Sequence, residues 1–164
     1  MTAAHSLGGA GIVVRQESPD QPEIRRLLAQ LDEYLQGLYP PESNHLLGIG
    51  ELLQPEVRFL VARRDRTAYG CGAVMLEEGG TAEVKRMYVD PASRGLGIGK
   101  SLMRAIEEAA QRESVRTLRL ETGIHQPEAI GLYIASGFRE VPAFPPYRPD
   151  PFSRFFAKEF ELPQ

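Results

Sequence analysis

Cysteine is almost absent from this sequence: Cys71 is alone among 164 residues. It cannot form an internal disulfide, and without a second cysteine nearby it offers no metal-ligand spacing, so no metal is implied. Its apolar neighbours make it a core residue, since no histidine lies close in sequence to activate it. Long hydrophobic runs are missing as well, and nothing approaches the roughly 18 apolar residues that would suggest a membrane span. No membrane partner is expected. There is no excess of positive charge either, because the net charge is −3, which argues against a protein held to nucleic acid by phosphate neutralisation. The opening residues carry no Lys or Arg and no apolar core, so residues 1–10 read as a disordered lead-in and not as a secretory signal. A cytoplasmic protein is expected. Internal repeats and second-domain linkers are also lacking, which leaves residues 11–164 as one domain long enough to bury its own core.

What is present is an ordinary soluble composition, 42% hydrophobic and 25% charged, arranged in clear periods. The β-branched run Ile12-Val13-Val14 reads as a strand. After Ser18-Pro19-Asp20, the spacing of Ile24, Leu27, Leu28, Leu31 and Leu35 predicts an amphipathic helix, stopped by Gly37 and Pro40-Pro41. Leu46, Leu47 and Leu52-Leu53 suggest a second short helical stretch. Alternation at Val57, Phe59 and Val61, then Tyr69 to Leu76, then Ala82 to Val89 predicts a three-stranded antiparallel meander. A helix follows from Ile98 to about Arg112, with Leu102, Ile106 and Ala109 on its stripe. Val115 to Glu121 reads as a strand, Pro127 to Ala135 as a helix, and Phe138 begins a short strand after Gly137. Pro142 to Pro151 holds five prolines and must be a loop of restricted shape before the last strand, Phe155 to Phe160. The expected fold is α/β (α+β), a three-layer domain with a mixed, mostly antiparallel sheet of six to seven strands and about four helices.

The segment Arg94-Gly95-Leu96-Gly97-Ile98-Gly99 opens a helix with glycines, so unpaired N–H groups at the positive end of a helix dipole are left bare for an anion. Counting separates the phosphate-binding patterns. A Walker A loop ending Gly99-Lys100-Ser101 needs glycine at Arg94, and a dinucleotide fingerprint on Gly95 and Gly97 needs glycine at Lys100. Both fail. Arg94-x-x-Gly97-x-Gly99, after a strand ending Tyr88-Val89-Asp90-Pro91, resembles the acetyl-CoA-binding segment of the GNAT superfamily of N-acetyltransferases. Downstream, the run from Ala129 through Leu132-Tyr133 to Gly137-Phe138 is similar to the superfamily's Ala-x-x-Leu-Tyr-x-x-x-Gly-Phe segment. The resemblance covers Val57 to about Val141. Where the superfamily often has asparagine, three residues before that alanine, this chain has Gln126.

The resemblance implies acetyl-CoA as cosubstrate. Main-chain amides of Gly95, Leu96, Gly97, Ile98, Gly99 and Lys100 would take its pyrophosphate, with Ser101 next to them on the helix and Arg94 adding charge. Met87, Tyr88 and Val89 would run beside its pantetheine arm on a strand splayed from its neighbour, the amide near Met87 polarising the thioester carbonyl. Gln126 would contact the cosubstrate. Glu83 matches the general-base glutamate of histone acetyltransferases of the superfamily, and it reads equally as a cross-strand partner of a cation. Strict alternation would set Glu83, Lys85 and Met87 on one face and Arg86 on the other, so Lys85 could pair with Glu83. Tyr133 occupies the place of a proton donor to the departing thiolate, and its phenol is well matched to a thiol.

Acceptor specificity is expected from the irregular stretches Leu38 to His45 and Phe144 to Asp150. They supply Tyr39, Asn44, His45, Tyr147 and Arg148, with Arg148 able to clamp a carboxylate and His45 to move protons near neutrality. The expected partner is a small-molecule primary amine, amino-acid-like if Arg148 takes that role. Protein lysine or N-terminal acetylation, and a non-catalytic CoA-sensing module, are the alternatives. Pairing of two chains through the final strands, giving a homodimer, stays open.

Overall fold

The computed structural model describes residues 4–7, as backbone, and residues 11–161. One mixed sheet runs through the molecule in the order β1-β2-β3-β4-β5-β6-β8-β7. Its strands are β1 (Ala4–Leu7), β2 (Ile12–Gln16), β3 (Val57–Arg64), β4 (Thr67–Leu76), β5 (Thr81–Val89), β6 (Thr117–Gly123), β7 (Arg139–Val141) and β8 (Ser153–Glu159). The helices are α1 (Pro22–Leu38), α2 (Ile49–Leu52), α3 (Ile98–Arg112) and α4 (Pro127–Ala135). Every pairing is antiparallel except β5 with β6. The strands from β2 onward are those expected from sequence. β1 pairs with β2 inside the stretch read as a lead-in, and adds an eighth strand to the sheet; the rest of that lead-in, residues 1–3 and 8–10, lies outside the described residues.

Two apolar layers sandwich the sheet. On one side α1 buries Ile24, Leu27, Leu28, Leu31 and Leu35, the positions its period picked out. Ile24, Leu27 and Leu28 join Leu52, Phe59, Val61, Cys71 and Ala73 in one cluster. On the other side α3 buries Ile98, Leu102, Ala105, Ile106 and Ala109 against Leu60, Val74, Val84, Leu118 and Leu120, and α4 adds Ile130 and Tyr133 to the same cluster. Each fully buried Leu or Ile contributes about 1.5–3 kcal/mol in removing apolar surface from water. The helix approaches the sheet closely because β4 has no side chain at Gly72, where a Cβ would lie 2.9 Å from Ile106 Cδ1 and 3.1 Å from Met87 Sδ.

Two departures from ideal sheet geometry prepare the site. In the β4–β5 pair, Ala73 faces Lys85 but Cys71 faces Tyr88, so Gly72 stands opposite both Arg86 and Met87. This is a β-bulge, and Arg86 takes the extra residue's place with φ 55°. It reverses the alternation expected from sequence. Glu83 pairs with Met75, which packs on the α1 side; Arg86 stays on that side, bonded to Asp32 and to the Leu28 carbonyl of α1; Met87 and Val89 turn to the α3 side. Met87 therefore does not share a face with Glu83 and Lys85. The second departure is that β5 and β6 pair only at Thr81–Thr117, Ala82–Leu118 and Glu83–Arg119. Beyond Glu83 the parallel strands separate.

Among the described residues no helix is long and apolar enough to cross a membrane.

Candidate active site

Beside the diverging strands lie two neighbouring hollows that share part of their walls. The larger, a cleft of about 750 Å³, runs from the start of α3 along the end of β5 to α4. The smaller, about 80 Å³, lies on the α1 side among β5, β6 and the two irregular loops. Leu31, Met87, Gln126 and Tyr133 border both.

The cleft begins at the glycine segment. Gly95 and Gly97 have φ 87° and 75°, and open space lies where a Cβ would stand. The left-handed turn frees the amides from Gly95 to Lys100, none of which donates to another described residue; the helix's own ladder begins with the Ser101 N–H on the Gly97 carbonyl at 3.1 Å. Arg94 and Lys100 stand exposed on the rim. Gly99 meets α4, since a Cβ there would lie 3.1 Å from Leu132 Cδ2. Bare amides, a helix N-terminus and two rim cations suit a diphosphate, and Met87, Val89, Ala129 and Leu132 give the apolar wall that a pantetheine arm needs. Two residues expected here do not line the cleft. Ser101 is buried with its amide already used, and the Leu96 side chain packs against the α3 cluster. Tyr88 lines the cleft with its hydroxyl donating to Gln30 Oε1 at 3.3 Å, and burial raises its pKa.

Gln126 is held where the hollows meet. Its Oε1 accepts from the Gly123 N–H at 3.2 Å and from the Tyr39 hydroxyl at 3.3 Å. Tyr39 in turn accepts from the His125 N–H at 3.0 Å, and its ring stacks on His125 with centroids 5.6 Å apart. Tyr133 is 5% exposed, lodged beside Phe138 and Phe156. Burial pushes its pKa well above the usual phenol value, and the charge of Glu121 adds to the shift. The phenol is a neutral donor at all ordinary pH.

The small pocket brings together residues far apart in sequence. Glu83, 1% exposed, forms an ion pair with Lys85 Nζ at 3.0 Å. The Tyr147 hydroxyl donates to Glu83 and accepts from Lys85. Burial, then the Glu83 hydrogen bond, drives the Tyr147 pKa far upward. His45 packs edge-on against Tyr147 at 5.1 Å, and the Ser43 hydroxyl donates to Asp150 Oδ2 at 2.8 Å, tying the two irregular loops to each other. Tyr39, His45 and Tyr147 all line this pocket. Arg148 does not: it is exposed and borders neither hollow. A turn closed by the Tyr147 N–H on the Phe144 carbonyl sends Tyr147 inward and its neighbour outward.

One residue went unnoticed in sequence. Glu121 on β6 lines the same pocket, accepts from the Ser153 hydroxyl at 2.8 Å, and has its pKa raised, chiefly by burial. Its signal was register: Arg119 pairs with Glu83 across the strands, and Glu121 lies two residues further along the same face.

Comparison with known proteins fits this geometry. The family model described as an acetyltransferase (GNAT) domain matches residues 55–140. The chain belongs to the GNAT acetyltransferase family. This GNAT protein is 47% identical over 148 residues to an IAA acetyltransferase of Azospirillum brasilense, covering 90% of this chain and 97% of the relative. A solved structure described as an acyl-CoA N-acyltransferase, from Klebsiella pneumoniae, superposes with TM-score 0.77 at 38% identity, covering 90% of this chain and 97% of that one. The fold is shared too by a PaiA N-acetyltransferase from Thermoplasma acidophilum solved in complex with coenzyme A, with TM-score 0.70 at 18% identity, covering 91% and 99%. The GNAT protein is an acyltransferase, and acetyl-CoA is the cosubstrate of its family.

Proposed function

We propose that this GNAT enzyme acts in the cytoplasm and moves the acetyl group of acetyl-CoA directly to a primary amine of a small molecule. The observation that carries the reading is the junction of an amide-lined cleft with a carboxylate-bearing pocket at Met87, Gln126 and Tyr133. Acetyl transfer needs a thioester fixed at such a junction and a nucleophile arriving from the other side.

In this reading the amides from Gly95 to Lys100 hold the diphosphate, with Arg94 and Lys100 supplying countercharge. The bulge at Arg86 turns Met87 toward the cleft, and the β5 amide near Met87, lying where β6 has moved away, polarises the thioester carbonyl. Tyr133 gives its proton to the departing sulfur. A small acceptor is favoured over a protein lysine because the pocket is narrow, about 80 Å³, and its walls include the loops joined by Ser43 and Asp150. The exposed position of Arg148 removes the argument for a carboxylate clamp, and with it the reason to single out amino acids.

The test is release of free CoA from acetyl-CoA by purified protein across a panel of aliphatic amines, polyamines, amino acids, aromatic amines, lysine peptides and IAA, the last included for the Azospirillum relative. Amine-dependent release is expected. Release only with lysine peptides would move the assignment to protein acetylation, and binding of acetyl-CoA without release to any acceptor would favour the CoA-sensing alternative.

A further inference from the structure

Resting on that reading, we propose that Tyr39 is a positioning residue for acetyl transfer: its hydroxyl turns the Gln126 side-chain amide so that the nitrogen end donates to a carbonyl on the arm of the bound cosubstrate. Of the two hollows, Tyr39, the residue after α1, lines only the small pocket, whereas Gln126 at the start of α4 borders both. A residue on the acceptor side therefore sets a contact made on the cosubstrate side.

A carboxamide has one accepting end and one donating end, and its neighbours decide which faces which way. The Gly123 N–H can only donate, so the end it meets at 3.2 Å is the Gln126 oxygen. The Tyr39 hydroxyl accepts from the His125 N–H at 3.0 Å, which leaves its own proton for the same oxygen at 3.3 Å. Both lone pairs of Oε1 are then engaged. Gly123, like Tyr39, borders only the small pocket of the two, so the oxygen is tethered on that side and Nε2 is left for the cleft. No described residue accepts from Nε2. Its N–H groups stand where the reading lays the cosubstrate arm, whose amide and thioester carbonyls need donors. The side chains of the adjoining wall, Met87, Val89, Ala129 and Leu132, have none to offer.

Tyr39 is itself firmly held. It is buried, with its ring stacked on His125 and set edge-on to Phe152 at 6.3 Å between centroids. Burial raises its pKa, so the hydroxyl keeps its proton across the ordinary range. Glutamine has one more rotatable bond than the asparagine often found at this place in the family, and a free glutamine side chain loses more entropy when a ligand fixes it. The bonds from Tyr39 and Gly123 fix it beforehand. The longer amide and the tyrosine are two parts of one arrangement: the extra methylene carries the amide out to the hydroxyl, and the hydroxyl removes the freedom that the methylene adds.

The proposal is tested by calorimetry of acetyl-CoA and of free CoA binding to the wild type, Tyr39→Phe, Gln126→Met and the double variant, with thermal melts for folding and KM measured for acetyl-CoA and for the best amine. Tyr39→Phe keeps the ring and is expected to weaken acetyl-CoA binding by about three- to tenfold, the worth of one neutral hydrogen bond, while KM for the amine stays within about twofold. Gln126→Met is expected to cost at least as much, and adding Tyr39→Phe to it should cost nothing further. A role confined to packing predicts the opposite, losses that multiply. A loss shared by CoA and acetyl-CoA assigns the amide to a carbonyl within the arm, and a loss confined to acetyl-CoA assigns it to the thioester; either supports the proposal. Unchanged acetyl-CoA affinity in a folded Tyr39→Phe, or losses that multiply in the double variant, overturns it. Should Tyr39→Phe not fold, Gly123→Ala, which displaces the ring, takes its place, and unchanged affinity there overturns the proposal equally. Binding is read apart from turnover, so a wild type that binds acetyl-CoA and serves no amine ends the transfer reading, while Tyr39 is still judged by affinity.

Discussion

Tyr39 occupies the volume that any side chain at position 123 would need: a Cβ on Gly123 would stand 1.9 Å from the Tyr39 hydroxyl oxygen and 2.0 Å from the carbon that bears it. The missing side chain at the end of β6 lets Tyr39, the residue after α1, bring its hydroxyl to the side-chain amide of Gln126. Gly123→Ala must push this ring aside. We expect a loss of about 1–3 kcal/mol, the usual range for overpacking, seen as a melting temperature lowered by roughly 2–4 °C per kcal/mol. Tyr39→Ala in the same chain should recover part of it, and strictly additive effects in the double-variant cycle would show that the two positions do not interact.

Tyr133→Phe should lower kcat by about 100-fold and leave acetyl-CoA affinity within twofold. The ring stays packed between Phe138 and Phe156, so the melting temperature should hardly change. Unchanged turnover in a chemistry-limited assay would remove Tyr133 as the proton donor.

Arg94 is exposed at the cleft rim and is expected to act through charge. Arg94→Ala should raise KM for acetyl-CoA by about tenfold at low salt, with kcat unchanged, and the difference should shrink as ionic strength rises because exposed charges are screened. A KM that ignores both the substitution and salt would place the phosphates elsewhere.

The glycine segment was readable from sequence because its chemistry is local: the residues that bare the amides are consecutive, and Gly95 and Gly97 take the left-handed angles their identity permits. The core stripes of α1 and α3 were readable for the same reason, since period and burial follow from helix geometry. Arg86 was not. Period two assigns faces only along an unbroken strand, and nothing in Lys85-Arg86-Met87 announces that Gly72 will face two residues at once. Glu121 was missed because its meaning comes from strands that separate after three pairs, a property of the whole sheet. Arg148 misled because sequence shows which residues share a loop and not which of them a turn points inward.

Acid should loosen the fold at a defined place. Arg63 bonds Glu17 and Glu23, and Glu23 also accepts from the Ala68 N–H. Burial alone would raise the Glu17 pKa, but the hydrogen bonds from Arg63 and Gln21 outweigh it; the Ala68 amide is the main cause lowering Glu23. Both folded values lie below the ordinary 4.5. Their contribution is therefore complete above that value and is lost as the pH falls through the depressed ones. Denaturant midpoints measured across this window should fall less steeply in Glu17→Gln than in wild type; parallel curves would contradict the assignment.

Cys71 is fully buried and burial pushes its thiol up to about 12. A disulfide reagent should leave the native protein unlabelled at neutral pH and react completely once denaturant is added. Rapid native labelling would mean that the layer between α1 and the sheet opens readily.

The separation of β5 from β6 has a consequence for motion. The middle of a sheet is usually its most protected part, yet here the seam between neighbours is unzipped just past Glu83, and the two halves of the molecule are sewn together only at the other end. A bound thioester arm would act as the missing thread. Amide hydrogen exchange in the second half of β5 should slow when acetyl-CoA binds, while β4, paired with β3 on one side and β5 on the other, should scarcely respond.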